Sequence, residues 1–483
     1  MQAESAPASL PWRLFWVAFL VRVAFITIAH TYKVRPFMDH FNFGWEMGRI
    51  ARALATGHGF ADPFDGHTGP TAWTPPLYPL LLGAVFKLFG VYTNLSGWVI
   101  LTINSLFSAT TAPAVYHLAR LVFARGTGTR ATDGGIALWS GWLWALYPAA
   151  MQYAIHWVWD MAVTTCFFTW ILVLALRLRA TYEIPAKNLR HSERSEEPLY
   201  FECLGNIDVE SARGERPTTL LWLAFGTLWG LVALTNSSLL TFLPFCGLWI
   251  VWPLLQSRPA KPSQILRATR NALLAAICCL AFITPWIARN ALVFHAFIPM
   301  RSNFGAELYE SVLPSNEGFP WGGIFPEVGD DPKFVLYRQM GELAFSRDQV
   351  AQAKAIIRAH PARTLGYIAK RIWFYWAGVP HPVEKTFNSK FNEAIRQLDY
   401  CFLSVASILG LILAFRRRIP AAWLFFWMLA IIPLLFYAIT VQARFRAPLE
   451  PAMAILIVYL FQSAERDRKV EMQISPGSNY SRR

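Results

Sequence analysis

Long apolar runs, each broken by a short polar or basic connection, follow one another from Leu10 almost to the C-terminus. Each approaches the ~20 residues a helix needs to cross a bilayer, so the pattern predicts an all-α polytopic membrane protein. Hydropathy weighed with flanking charge predicts ten spans, at about 11–31, 98–120, 135–153, 160–178, 219–235, 238–256, 271–289, 398–415, 420–438 and 446–463. The clusters Arg120/Arg125/Arg130, Arg177/Arg179, Arg258/Lys261/Arg267/Arg270, Arg416/Arg417/Arg418 and Arg466/Arg468/Lys469 then share one side with both termini. The positive-inside rule makes that side the cytoplasm. Two shorter apolar pieces, Pro76 to Gly90 and Thr364 to Trp376, are predicted to be interfacial or re-entrant, since counting either as a span carries some of these clusters across. The first run ends in no small-residue cleavage site and reads as a retained signal anchor.

This layout gives one membrane unit, 1–463, with two large extracytoplasmic loops at about 32–97 and 290–397. The inner connection 180–217 turns abruptly polar with no apolar period and reads as an insert; 464–483 reads as a solvated cytoplasmic tail. Composition agrees: 55% of residues are hydrophobic and 15% charged, against roughly 25% charged in a soluble chain. The 44 Lys and Arg against 30 Asp and Glu report membrane orientation and give no reason to expect a nucleic acid. Five of the six cysteines lie in apolar runs, and none has a metal-ligand spacing.

Function is therefore expected in the two outer loops. In the first, Phe43, Met47, Ile50 and Leu54 recur at helical spacing, predicting an amphipathic helix whose stripe faces lipid or the bundle. It holds Asp39 and Glu46 near the interface, where a carboxylate can act as general base; the plainer alternative pairs both acids with Arg49 or Arg52. The loop continues through Gly57-His58-Gly59-Phe60 to Pro75-Pro76-Leu77-Tyr78-Pro79, where Gly57, Gly59, Pro75, Pro76 and Tyr78 are expected to shape an ordered turn. Between them, His58, Asp62, Asp65 and His67 offer ligands for a divalent cation, without a standard spacing; loop hydrogen bonds are the alternative. Asp160, at the outer end of a span, is either a helix cap or a second acid that helps bind the acceptor. Arg289, Arg301, Arg444 and Arg446 break the positive-inside pattern and match phosphate geometry, so they are candidates for holding an anionic lipid. Pairing with Glu307, Glu310 or Glu450 is the structural alternative.

Taken in order, the acid-bearing first loop with its Gly-His-Gly-Phe and Pro-Pro-Leu-Tyr-Pro-Leu stretches, Pro285-Trp286 to Arg289-Asn290, His360-Pro361 and Arg444-Phe445-Arg446-Ala447-Pro448-Leu449-Glu450-Pro451 resemble the GT-C glycosyltransferases that use polyprenyl-phosphate sugars. That superfamily includes the bacterial lipid A aminoarabinose transferases and protein O-mannosyltransferases. The resemblance implies a bundle of about 10–13 membrane helices with juxtamembrane amphipathic helices in a bacterial-type inner membrane. It also implies a polyprenyl-phosphate-sugar donor, an acceptor hydroxyl on a glycolipid, polysaccharide or protein, and an active site facing outward. Carried over, Glu46 or Asp39 is the base and the outer arginines hold the donor phosphate. The family's usual Asp-Glu or Asp-x-x-x-Tyr opening is not reproduced, which leaves the choice between the two acids open. A single displacement needs no second carboxylate as nucleophile and predicts inversion. No cofactor is implied with certainty, a divalent cation remaining an option. The rival class is a transporter or flippase of a lipid-linked sugar or another anionic lipid, which would need no acidic loop and usually shows internal repeats that are not evident here.

Overall fold

The computed structural model describes residues 10–33, 43–123, 130–183, 215–256, 262–316, 318, 331–379 and 387–474. They form seventeen α-helices: α1 (Leu10–Ile28), α2 (Glu46–Ala55), α3 (Leu77–Phe89), α4 (Asn94–Phe123), α5 (Arg130–Leu146), α6 (Pro148–Ile155), α7 (Met161–Tyr182), α8 (Glu215–Ala233), α9 (Leu243–Gln256), α10 (Pro262–Phe294), α11 (Phe304–Val312), α12 (Pro332–Met340), α13 (Glu342–Ala359), α14 (Pro361–Ala377), α15 (Phe387–Arg416), α16 (Ala422–Ala438) and α17 (Glu450–Ile474). The only strand-like pairing among the described residues is an isolated bridge between Ala61 and Pro70. The chain is an all-α polytopic membrane protein, and six helical stretches are long and apolar enough to cross a bilayer: Pro11–Ile28, Asn94–Phe123, Met161–Tyr182, Ser237–Gln256, Pro262–Phe294 and Lys390–Arg416.

Three of the ten expected spans, at 135–153, 219–235 and 420–438, are shorter apolar helices, Gly135–Leu146, Thr218–Ala233 and Ala422–Ala438, and the one at 446–463 falls on α17, which is not among the six. The first is cut because Tyr147 turns extended (φ −68°, ψ 119°) before Pro148, as a residue preceding proline tends to do. The freed carbonyls at the end of α5 are taken up by a buried arginine of α1. Arg22 donates to Ala145 O at 2.7 Å, Trp144 O at 3.4 Å and its own helix at Ala18 O. A buried guanidinium is tolerable here because each of its three nitrogens finds an acceptor, Ser108 Oγ serving Nε. The expected interfacial pieces are the helices α3 and α14.

Close helix approach without a hydrophobic drive requires small residues at the crossing. Gly226 of α8 shows this, since a Cβ there would sit 2.1 Å from Ala275 O of α10. The opposite face of α10 carries Leu266, Leu273, Ile277 and Leu280, all more than half exposed, a helical stripe suited to lipid. The continuous core lies between α1, α4, α5, α7, α8, α16 and α17. A second cluster joins α2, α3, α4 and the turn before α7, and this second cluster positions the site.

Candidate active site

Glu46 is the first residue of α2 and does not stand inside a longer helix, because Gly44 (φ +90°) and Trp45 (φ +51°) turn the chain into it. The predicted helix from Met38 therefore begins at Glu46 as far as the described residues extend, and Asp39 lies outside them. The apolar stripe faces protein. Ile50 and Phe43 are buried, with the Phe43 ring 5.8 Å from Phe86 and 5.0 Å from Tyr92. Gly44 meets the turn before α7 so closely that a Cβ would lie 2.4 Å from Val158 O. The segment carrying Glu46 is thus pressed onto the segment carrying Asp160.

Asp160 is buried, 3% exposed, in helical conformation just before α7. Its carboxylate accepts no hydrogen bond from the backbone of the first turn, so it is not a side-chain cap. It accepts instead from the Thr164 hydroxyl at 3.2 Å. Burial pushes the Asp160 acid up to about 6, against the opposing pull of the Arg444 charge, the Thr164 hydroxyl, its own backbone amide and Arg301. The half-buried Glu46 is pushed upward for the same first reason, opposed by a backbone amide and by Arg444 and Arg49, and reinforced by the neighbouring Glu307. Both carboxyls therefore stand in the field of one guanidinium, which also feels Glu307 and Tyr153.

That guanidinium is held by aromatic faces. Arg444, in the 3-10 turn Ala443–Arg446, lies with Cζ 4.1 Å above the Trp159 ring and 5.4 Å from Phe445. Trp159 in turn stacks on Trp157, centroids 4.8 Å apart and planes within 10°. The turn is tied from the other side as well: Tyr78 and Asn104 share hydrogen bonds of 3.1 and 2.9 Å, and Asn104 Nδ2 donates to Trp157 O at 3.2 Å. Pro75 and Pro76 are buried just before, and Leu77 N donates to Leu234 O, which pins this end of the first loop to the end of α8.

Arg301 approaches Glu307 Oε1 at 3.8 Å, and both line an open cleft of about 210 Å³. Ser237, Ser238, Leu435 and Ile439 line the same cleft, which combines one cation, the acid Glu307 and apolar walls.

The other two arginines are used inside the protein. Arg446 is 1% exposed, pairs with Glu450 at 3.2 Å, donates to Ser404 Oγ at 3.0 Å and lies 3.6 Å over the Tyr400 ring. Arg289 donates to the carbonyls of Thr71 and Phe60, both at 2.7 Å, among the rings of Phe60, Trp286 and Phe294. Arg289 and Arg446, grouped with the other two as candidate phosphate ligands, thus make hydrogen bonds within the protein, while Arg446 Nη2 is buried without a partner among the described residues.

In the first loop Gly57 (φ +89°) and Gly59 (φ +76°) sit in the left-handed region with open space around them. Asp62 closes the following turn: its Oδ1 accepts from Thr68 N at 2.8 Å and Gly69 N at 2.9 Å, and its Oδ2 lies 3.0 Å from His67 Nδ1. Asp65 accepts from Gly66 N, and His58 lies beside Thr56 and His67. No group of three or more His, Cys, Asp or Glu gathers in metal-binding range among the described residues.

Sequence reasoning missed Glu342. It is 6% exposed and accepts from Thr71 Oγ1 (2.5 Å), Ala72 N (2.7 Å), Ser302 Oγ (2.5 Å) and Tyr337 O–H (3.0 Å). One carboxylate thereby clasps the first loop to the second beside Arg301, and Ser302 N adds a bond to Ala72 O.

No family model matches the chain, and no curated protein does. Among solved structures it is similar to the Archaeoglobus fulgidus oligosaccharyltransferase AglB in complex with an inhibitory peptide and a dolichol-phosphate, at 14% identity and a TM-score of 0.42 over 98% of this chain and 52% of that one. The oligosaccharyltransferase of the same organism tethered with an acceptor peptide gives 14% identity and a TM-score of 0.46, again over 98% and 52%. ArnT from Cupriavidus metallidurans bound to undecaprenyl phosphate gives 13% and 0.36 over 96% of this chain and 80% of that one. The chain spans about half the length of the archaeal chains it resembles.

Proposed function

We propose that this protein is an integral membrane glycosyltransferase that moves a sugar from a polyprenyl-phosphate donor to an acceptor hydroxyl on the extracytoplasmic face, with Glu46 as general base. The observation that carries this reading is the packing of the Glu46 segment onto the Asp160 segment, through Gly44 against Val158, with the Arg444 guanidinium stacked on the adjacent Trp159; Arg301 lines an amphiphilic cleft. A base must be basic enough to take a hydroxyl proton while staying ionised near neutrality. Desolvation, which raises both acids, supplies that. The acceptor oxygen attacks the anomeric carbon, the bond from that carbon to the phosphate oxygen breaks, and the proton passes to Glu46. The polyprenyl phosphate leaves with its charge matched by Arg444 and Arg301. One displacement inverts the anomeric centre. Asp160 orients the acceptor, and residues 1–463 act as one catalytic unit.

The test is transfer in proteoliposomes that hold the purified protein, radiolabelled polyprenyl-phosphate sugars and a membrane acceptor fraction. Label transferred to acceptor, with free polyprenyl phosphate released, supports the reading. Label that crosses the bilayer still attached to its lipid would replace it with a flippase.

A further inference from the structure

We propose that His58 and His67 form a two-histidine site for a borderline transition-metal dication, Zn2+ or Cu2+, which staples two turns of the first long loop. This inference does not rest on the proposed reaction. The two imidazoles lie with centroids 4.6 Å apart and planes tilted by 35°, and the partner of each Nδ1 bears on its tautomer. Thr56 Oγ1, 2.9 Å from His58 Nδ1, directs its own proton to Arg52 O at 2.9 Å. With its proton so directed, Thr56 Oγ1 can accept from the ring, and the tautomer that does so carries its proton on His58 Nδ1. Asp62 Oδ2 lies 3.0 Å from His67 Nδ1, and an ionised carboxylate only accepts, so His67 Nδ1 also carries a proton. In the neutral rings both lone pairs then sit on Nε2. Metal-bound histidines commonly have their second nitrogen held in this way, by a carboxylate above all.

Both rings are exposed, His67 at 74% of its side chain, so water can complete the coordination shell. Imidazole nitrogens favour zinc, copper and nickel, whereas calcium and magnesium demand oxygen ligands. The backbone explains what a metal would do here. Gly57, Gly59, Gly66 and Gly69 all have positive φ with nothing packed within 4 Å, and a metal bridging His58 to His67 would close the segment between them.

The test uses the full chain in nanodiscs, purified without a histidine tag. Cu2+ is titrated by electron paramagnetic resonance, and Zn2+ by competition with a chromogenic chelator. The expected result is one saturable equivalent with two-nitrogen hyperfine structure. His58→Ala and His67→Ala should each weaken binding at least about tenfold, and Asp62→Asn by about 10-fold or more, with thermal melting of the metal-free histidine variants unchanged. Absence of saturable binding, or binding equally tight in both histidine variants, would overturn the site.

Discussion

The guanidinium carbon of Arg444 lies 4.1 Å above the ring of Trp159, the residue immediately before the buried acid Asp160. A desolvated cation–π contact is worth about 2 kcal/mol, and it does not depend on the ionisation of a carboxylate. Arg444 is therefore held in place through a cycle in which the neighbouring acids gain and lose protons. Its planar face also distinguishes it from an ammonium group. Arg444→Lys should keep the charge yet raise the donor KM by about tenfold, and Arg444→Ala should raise it further; a KM unchanged in Arg444→Ala would remove this residue from the donor site.

Asp160 links acidity to both rate and stability. Its acid is held up to about 6 when folded, above the ~3.9 of an unfolded chain. The folded state therefore binds the extra proton between those values, and stability declines as pH rises through that window. Asp160→Asn stays neutral throughout, so it should melt higher than wild type at pH 7.5, by an amount of order 1–3 kcal/mol, and no higher at pH 4. Its turnover should fall. Thermal melts at the two pH values, paired with the transfer assay, check both halves. In the wild type, turnover should drop as pH falls through about 6.

Much of the frame was legible in the apolar runs, because a lipid-facing helix must be apolar over its whole length. The break at Tyr147 was less so: the run from 135 to 153 stays apolar through Pro148, and what makes a cut there tolerable is Arg22, some 120 residues earlier. Glu46 and Asp160 were visible as acids at the edges of apolar runs, and the contact that unites them is Gly44 against Val158. Arg444 and Arg446 look alike in sequence two residues apart. Only packing separates the one stacked on Trp159 from the one locked to Glu450. Glu342 was illegible because its hydroxyl partners Thr71 and Ser302 are 271 and 40 residues away.

Gly44 carries the approach of the first loop to Asp160. Gly44→Ala adds a Cβ 2.4 Å from Val158 O at φ +90°, a conformation that costs of order 1–3 kcal/mol for a side chain. The variant should insert normally, melt lower and lose most turnover through displacement of Glu46. Wild-type turnover in Gly44→Ala would mean that this contact does not set the geometry.

Glu342 offers a contrast between loss of charge and loss of the clasp. Glu342→Ala leaves the donors of Thr71, Ala72, Ser302 and Tyr337 without their acceptor, at a cost of about 1–3 kcal/mol for each one left buried and unsatisfied. Glu342→Gln keeps a carbonyl acceptor and should retain more of the melting temperature. Limited proteolysis of the two long loops should separate the variants, with Glu342→Ala cut fastest.

The central claim is that a first-loop carboxylate beside Arg444 takes the acceptor's proton. The most direct measurement is turnover of a radiolabelled polyprenyl-phosphate sugar by Glu46→Gln in proteoliposomes, with donor binding measured on the same sample. The account predicts at least about a 100-fold loss of turnover with donor affinity preserved. Turnover equal to wild type in Glu46→Gln would contradict it.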